Sequence, residues 1–185
     1  MKAERHVWLR GLAGIAVLAV FVAFVALPVF AIGEMGKDKF KVGDAAPDFA
    51  ILDLSGKIVK LSSFAGEKVV LLNFWGLRCG ACLEEMPYLE AIHKKYSGKD
   101  VVLLGVDTDG VDAQTVIDTM KEVGVVVSYV ILTDPDFKAT DTYTNFLVPL
   151  TIVIDRKGII RYIHTGFEKG REKEYEEAVK KALGS

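Results

Sequence analysis

The sequence predicts an α/β domain, a mixed sheet with helices on both faces, behind one transmembrane helix. Strand-like apolar runs alternate with helical periodicities through the middle of the chain, as in a sheet covered by its connecting helices. A hairpin signal and a last amphipathic stretch follow, which makes the sheet mixed rather than all parallel. The stretch Gly11 to Gly33 carries no charge over 23 positions. The boundaries read as a cytoplasmic tail 1–10, a membrane anchor 11–33, a linker 34–41 and one domain 42–185.

At ~1.5 Å per residue a 23-residue helix spans roughly 34 Å, enough for a hydrocarbon core of about 30 Å. The stretch exceeds the ~7–15 apolar residues of a removable signal, although Pro28 and Val29-Phe30-Ala31 keep cleavage near Ala31 open. Lys2, Arg5 and Arg10 before the span tie with Lys37, Lys39 and Lys41 after it. Arg10 abuts the apolar segment and the preceding tail is short, so the body is expected outside the cytoplasm. Glu34 to Ala46 mixes Gly, Lys and Asp with few apolar residues, as a linker would.

The body then begins with a hairpin, Phe49 to Leu54 and Ile58 to Leu61 around Ser55-Gly56-Lys57. Val69 to Trp75 is nearly continuously apolar, the pattern of a strand buried on both faces. Met86, Leu89, Ile92 or His93, and Tyr96 recur at helical spacing, and a second apolar run, Val101 to Val106, follows. Ala113, Val116, Ile117, Met120 and Val123 mark a further helix, and Tyr129 to Leu132 a strand. Thr151 to Ile154 and Ile159 to Ile163 flank Asp155-Arg156-Lys157-Gly158 as a hairpin. Tyr175, Ala178, Val179 and Ala182 close the chain on one helix face, ending at Gly184.

Composition narrows the function. The chain has 23 Lys+Arg against 25 Asp+Glu; without Lys2, Arg5, Arg10 and Glu4 the body holds 20 against 24. Nucleic-acid binding needs a concentrated positive field, which is lacking. Two cysteines rule out a disulfide scaffold, and both fall in Cys79-Gly80-Ala81-Cys82, between a buried strand and a helix. Two thiolates are half of a zinc shell, and no second pair completes it. A structural bridge across so small a loop adds little stability. A redox pair fits the position: the helix N-terminus and Arg78 favour a thiolate, and the second sulfur resolves a mixed disulfide.

Val42-Gly43-Asp44-Ala45-Ala46-Pro47-Asp48-Phe49, Asn73-Phe74-Trp75, Cys79 to Cys82, Glu85-Met86-Pro87 and Val148-Pro149 together resemble the TlpA/ResA-type branch of the thioredoxin-like family. The resemblance covers about residues 42 to 183. It implies a thioredoxin-like fold in a membrane-tethered, extracytoplasmic (periplasmic) thiol-disulfide oxidoreductase, with Cys79 attacking and Cys82 resolving. It further implies protein substrates bearing disulfides, a role in cytochrome c maturation or copper-site assembly, and electrons from a membrane thiol transporter. No cofactor or metal is implied. The chain departs from the family where Arg78 replaces the usual Trp and where Gly80-Ala81 lacks the frequent Pro. Thioredoxin's buried Asp is matched by Asn73, which takes no proton.

Glu85 is the candidate to take that proton, because it follows Cys82 by three residues and lies on the same helical side. A carboxylate buried there would have a raised pKa and accept the Cys82 proton; a solvated Glu85 would merely complement the helix dipole. Pro87 should kink its helix. The resemblance implies a cis Val148–Pro149 bond against the cysteines, with the Val148 backbone open to a substrate strand. Pro149 at a strand start has the plainer explanation that its missing N–H costs nothing there. Trp75 reads as a platform beside the cysteines or as core, and Asp107 and Asp109 as turn formers. His164 on an edge strand could join both cysteines around copper, or be an ordinary surface histidine. Two rivals to the oxidoreductase stand: a copper or haem-protein chaperone, and a peroxidase. The second lacks the Pro and Thr that such enzymes place ahead of their cysteine, since 72–78 contains neither.

Overall fold

A computed structural model of the protein describes residues 39–96 and 98–185. The predicted tail, the predicted span 11–33 and most of the predicted linker lie outside the described residues. Among the described residues, no helix is long and apolar enough to cross a membrane. Among the described residues seven strands form one sheet: β1 (Ala50–Asp53), β2 (Ile58–Lys60), β3 (Val69–Trp75), β4 (Val101–Asp107), β5 (Val130–Thr133), β6 (Leu150–Ile154) and β7 (Ile160–Thr165). Four α-helices among the described residues accompany them: α1 (Gly80–Tyr96), α2 (Ala113–Glu122), α3 (Lys138–Tyr143) and α4 (Glu172–Leu183). The strand order is β2-β1-β5-β4-β3-β6-β7.

β3 pairs parallel with β4 and antiparallel with β6, and β4 pairs parallel with β5. β1 joins β5 antiparallel, while β2 and β7 form antiparallel edges. Every residue of β3 is buried, which explains its continuous apolar run: both faces are covered. The period of two divides its side chains between two cores. Val69, Leu71 and Trp75 pack with Met86 and Leu89 of α1, Val116 of α2, and Tyr175 and Val179 of α4. Val70, Leu72 and Phe74 pack on the opposite face with Ile51, Ala139 and Tyr143. Each such side chain contributes on the order of 1.5–3 kcal/mol by burial, so the strand that leads into the cysteine turn is firmly held on both faces.

The periodicities gave helices where the structure has them, with three differences. Leu61, read as the end of a strand, instead opens a 3-10 turn, Leu61–Phe64. The short helix α3 has no sequence periodicity to reveal it. Its organiser is buried Asp134, whose carboxylate accepts from the backbone N–H of Lys138, Ala139 and Thr140 at 2.9, 2.9 and 2.7 Å and so satisfies the helix's first donors. Packing also reaches back into the stretch read as linker. The Phe40 ring lies 5.4 Å from that of Tyr143, and Ala45 bridges Ile159.

Candidate active site

β3 ends at Trp75 and α1 begins at Gly80, so Gly76 to Cys79 form the only turn between the central strand and the helix. The carboxyl end of β3 is also where the connection to parallel β4 leaves in one direction while β6 lies on the other side. In open α/β sheets such a switch point leaves a crevice. The turn is pinned to β4. Thr108 donates to the Trp75 carbonyl from its N–H at 2.9 Å and its hydroxyl at 3.0 Å. The Leu77 N–H donates to Asp109 Oδ2 at 2.6 Å, and the Cys79 N–H to the Gly76 carbonyl at 3.1 Å. Gly76 permits this close approach, since a Cβ there would lie 3.3 Å from Asp109 Oδ2.

Cys79 and Cys82 are joined in a disulfide with S–S 2.08 Å. The two sulfurs are not equivalent. Cys82 is fully buried, whereas Cys79 is half-buried and opens to solvent. The backbone N–H of Cys82 points at Cys79 Sγ from 3.2 Å. An N–H so placed at a helix start stabilises negative charge on that sulfur once the bridge opens. Cys79 Sγ also lies 3.7 Å from the Val148 carbonyl oxygen. The Val148–Pro149 bond is cis, and Pro149 is buried at the foot of β6. Trp75 is fully buried in the core beneath the turn. Arg78 is exposed and makes no ion pair among the described residues.

Glu85 lies on the buried face of α1 that also carries Cys82, Met86 and Leu89. Its exposure is 0%. Asn73 Nδ2 donates to Glu85 Oε2 at 2.8 Å and the Thr151 hydroxyl donates to Oε1 at 3.0 Å. Burial raises the Glu85 pKa above the usual carboxylate range, and neighbouring Tyr175, Thr151 and Asn73 offset this only in part. The Tyr175 hydroxyl lies beside Glu85 without a hydrogen bond of ordinary geometry. A carboxyl held this way exchanges a proton at higher pH than a surface glutamate does, the property a base for a buried thiol needs. Neighbouring strands deliver its two partners: Asn73 of β3 stands opposite Thr151 of β6.

Thr151 went unnoticed in the sequence because it sits inside an apolar strand. Its only signal was being a polar residue in a run otherwise buried and aliphatic. Asp107 is the larger difference. It is no turn former: it is the last residue of β4, wholly buried, and neither carboxylate oxygen has a hydrogen-bond partner of ordinary geometry. Burial, with the Asp109 carboxylate beside it, pushes its pKa up to about 8. Asp109 does behave as a loop residue, exposed and accepting from Leu77. His164 lies on edge strand β7 with its ring 6.4 Å from that of Tyr162. No group of three or more His, Cys, Asp or Glu side chains that could hold a metal ion converges among the described residues. The copper arrangement considered for His164 and the two cysteines is therefore not assembled.

Known proteins agree with this geometry. The AhpC/TSA family matches residues 42–163. The thiol-disulfide oxidoreductase ResA of Bacillus thuringiensis strain Al Hakam is 34% identical over 122 residues, covering 66% of this chain and 68% of the relative. ResA of Bacillus subtilis strain 168 is 33% identical over 131 residues, 71% of each chain. Among solved structures, a candidate thiol:disulfide interchange protein DsbE from Chlorobium tepidum superposes with a TM-score of 0.70 at 29% identity, over 78% of this chain and 99% of that one. With a thioredoxin-like sheet, and with Cys79 and Cys82 paired at the start of α1, the chain belongs to the AhpC/TSA family as a ResA-type thiol-disulfide oxidoreductase.

Proposed function

We propose that this oxidoreductase is tethered to the cytoplasmic membrane by residues 11–33 with its domain on the periplasmic side, where it reduces specific protein disulfides. The unequal exposure of the two sulfurs carries the assignment of roles. Only Cys79 is open to a substrate, so its thiolate attacks the substrate disulfide. One Cys79–substrate S–S bond forms, the substrate bond breaks, and one substrate thiolate leaves. Cys82 passes its proton to the Glu85 carboxylate and attacks Cys79 Sγ. The Cys79–Cys82 bridge forms, the mixed disulfide breaks, and the second substrate thiolate departs. Two electrons have then moved to the substrate. A dithiol, supplied in the cell by a membrane thiol transporter, returns the bridge to the reduced form.

Pro149 holds the Val148 carbonyl against the sulfur and leaves that segment free to align a substrate strand. The substrate proposed, a protein of cytochrome c maturation or metal-site assembly, rests on the resemblance carried by Cys79 to Cys82, Glu85-Met86-Pro87 and Val148-Pro149. Trapping tests the core of the reading. A full-length Cys82→Ser protein should accumulate mixed disulfides through Cys79 that dithiothreitol releases and that a Cys79→Ser Cys82→Ser protein does not form. Failure to trap any protein under conditions where the wild type turns over would exclude the mechanism.

A further inference from the structure

The segment Asn145-Phe146-Leu147-Val148 leads directly into Pro149, and the mechanism so far uses only its last residue. Phe146 is 67% and Leu147 45% exposed. No other Phe, Tyr or Trp side chain among the described residues is as open to solvent. Phe146 also adopts φ +59°, a left-handed conformation that non-glycine residues take rarely. It is held there from below. The Phe146 N–H donates to the Thr144 hydroxyl oxygen at 3.1 Å, and that buried hydroxyl donates to the Thr140 carbonyl at 3.0 Å. The fold thus uses a buried threonine and an uncommon backbone conformation to keep a large apolar ring in water. Such features collect at binding surfaces.

The place of the pair names the occupant. Val148, one residue beyond Leu147, has its carbonyl oxygen 3.7 Å from Cys79 Sγ. Leu147 and Phe146 are the next exposed residues along the chain from that contact, so the surface that meets a substrate at Cys79 continues along the same segment toward them. We propose that Phe146 and Leu147 form a docking ridge for the chain flanking a substrate protein's disulfide, selecting aliphatic or aromatic side chains within about two residues of the cystine. This deepens, and rests on, the reading of Cys79 as the attacking thiol. An aromatic anchor beside the reacting sulfur raises affinity for segments with apolar neighbours, while a small disulfide that ends before the ridge gains nothing from it.

Two synthetic peptide disulfides test the ridge, identical except for Leu or Ser two residues to either side of each cysteine, with dithiobis(nitrobenzoic acid) as the small disulfide. The reduced full-length wild type should favour the Leu peptide over the Ser peptide by about tenfold in kcat/KM, within the range for apolar pocket discrimination. In the Phe146→Ser Leu147→Ser protein that ratio should fall to near one, and Phe146→Leu should keep most of it. A wild-type ratio of one, or a ratio that survives the double substitution, overturns the ridge. So does wild type that reduces dithiobis(nitrobenzoic acid) and neither peptide. Wild type that reduces none of the three overturns the dithiol reading itself, and the ridge with it.

Discussion

Glu85 and Asp107 are both buried carboxyls on the same face of the sheet, and they differ in what holds them. Glu85 accepts from Asn73 and Thr151, whereas Asp107 accepts from nothing of ordinary geometry. Both pKa values are raised above their unfolded values, so each carboxyl binds more protons folded than unfolded over the intervening range. Their contribution to stability is therefore full below the unfolded pKa and is lost as pH rises through the folded one. For Asp107 the window runs from 3.8 to about 8. Asp107→Asn should flatten the stability profile there, gaining on wild type by up to about 1.4 kcal/mol per pH unit in urea unfolding. An unchanged slope would show that Asp107 is ionised in the folded protein at neutral pH. Glu85→Gln keeps the shape and removes the base. Disulfide reduction should slow on the order of 10²-fold, with the Cys79-linked mixed disulfide accumulating because the second step is the one impaired. Equal slowing of the first step, measured with a single-turnover small disulfide, would place the carboxyl elsewhere in the reaction.

Each element around the site has one face that packs and one end that works. α1 buries Cys82, Glu85, Met86, Leu89 and Ile92 at helical spacing, so the period that secures the helix against the sheet also draws the second sulfur and the carboxyl out of water. Pro87 stands inside this helix, and α1 continues through it from Gly80 to Tyr96. The turn after β4 depends on tighter sterics. A Cβ on Gly110 would come 2.2 Å from Phe137 Cζ, and the residue sits at φ +69°. Gly124 has a similar φ of +73° with open space around it. Gly110→Ala should therefore cost more than Gly124→Ala, by about 1–3 kcal/mol in chemical denaturation, the excess measuring overpacking against Phe137. Similar losses at both sites would mean that backbone conformation alone decides.

At the scale of the whole chain, the domain places a redox pair at the end of its central strand, and the tether proposed for residues 11–33 would set where that pair operates. The tether yields its own expectation. The full-length protein should remain in the membrane fraction through high-salt and alkaline washes, since a 23-residue apolar helix is held far more strongly than a surface-bound domain. An impermeant thiol reagent added to intact, reduced spheroplasts should label Cys79. Recovery of the protein in the soluble periplasmic fraction would instead indicate cleavage near Ala31. Labelling only after lysis would reverse the orientation.

Most of the architecture was legible because it follows from local rules. The buried run Val69–Trp75 is a strand whatever surrounds it, and the spacing of Tyr175, Ala178, Val179 and Ala182 allows only a helix with that face inward. Cys79 and Cys82 were legible for the same reason, as neighbours three apart at a strand-to-helix boundary. Thr151, Asp107 and Phe146 were not, because each differs from an unremarkable residue of its type only through partners brought from 66, 2 and 2 positions away or through the solvent it meets. The amino-acid order alone determined most of the elements, the dithiol and the uncharged span, since periodicity and short spacing act within a few residues. Folding decided which sulfur faces water, which carboxyl loses it and which aromatic ring keeps it, because solvent access at a point depends on every segment packed around that point.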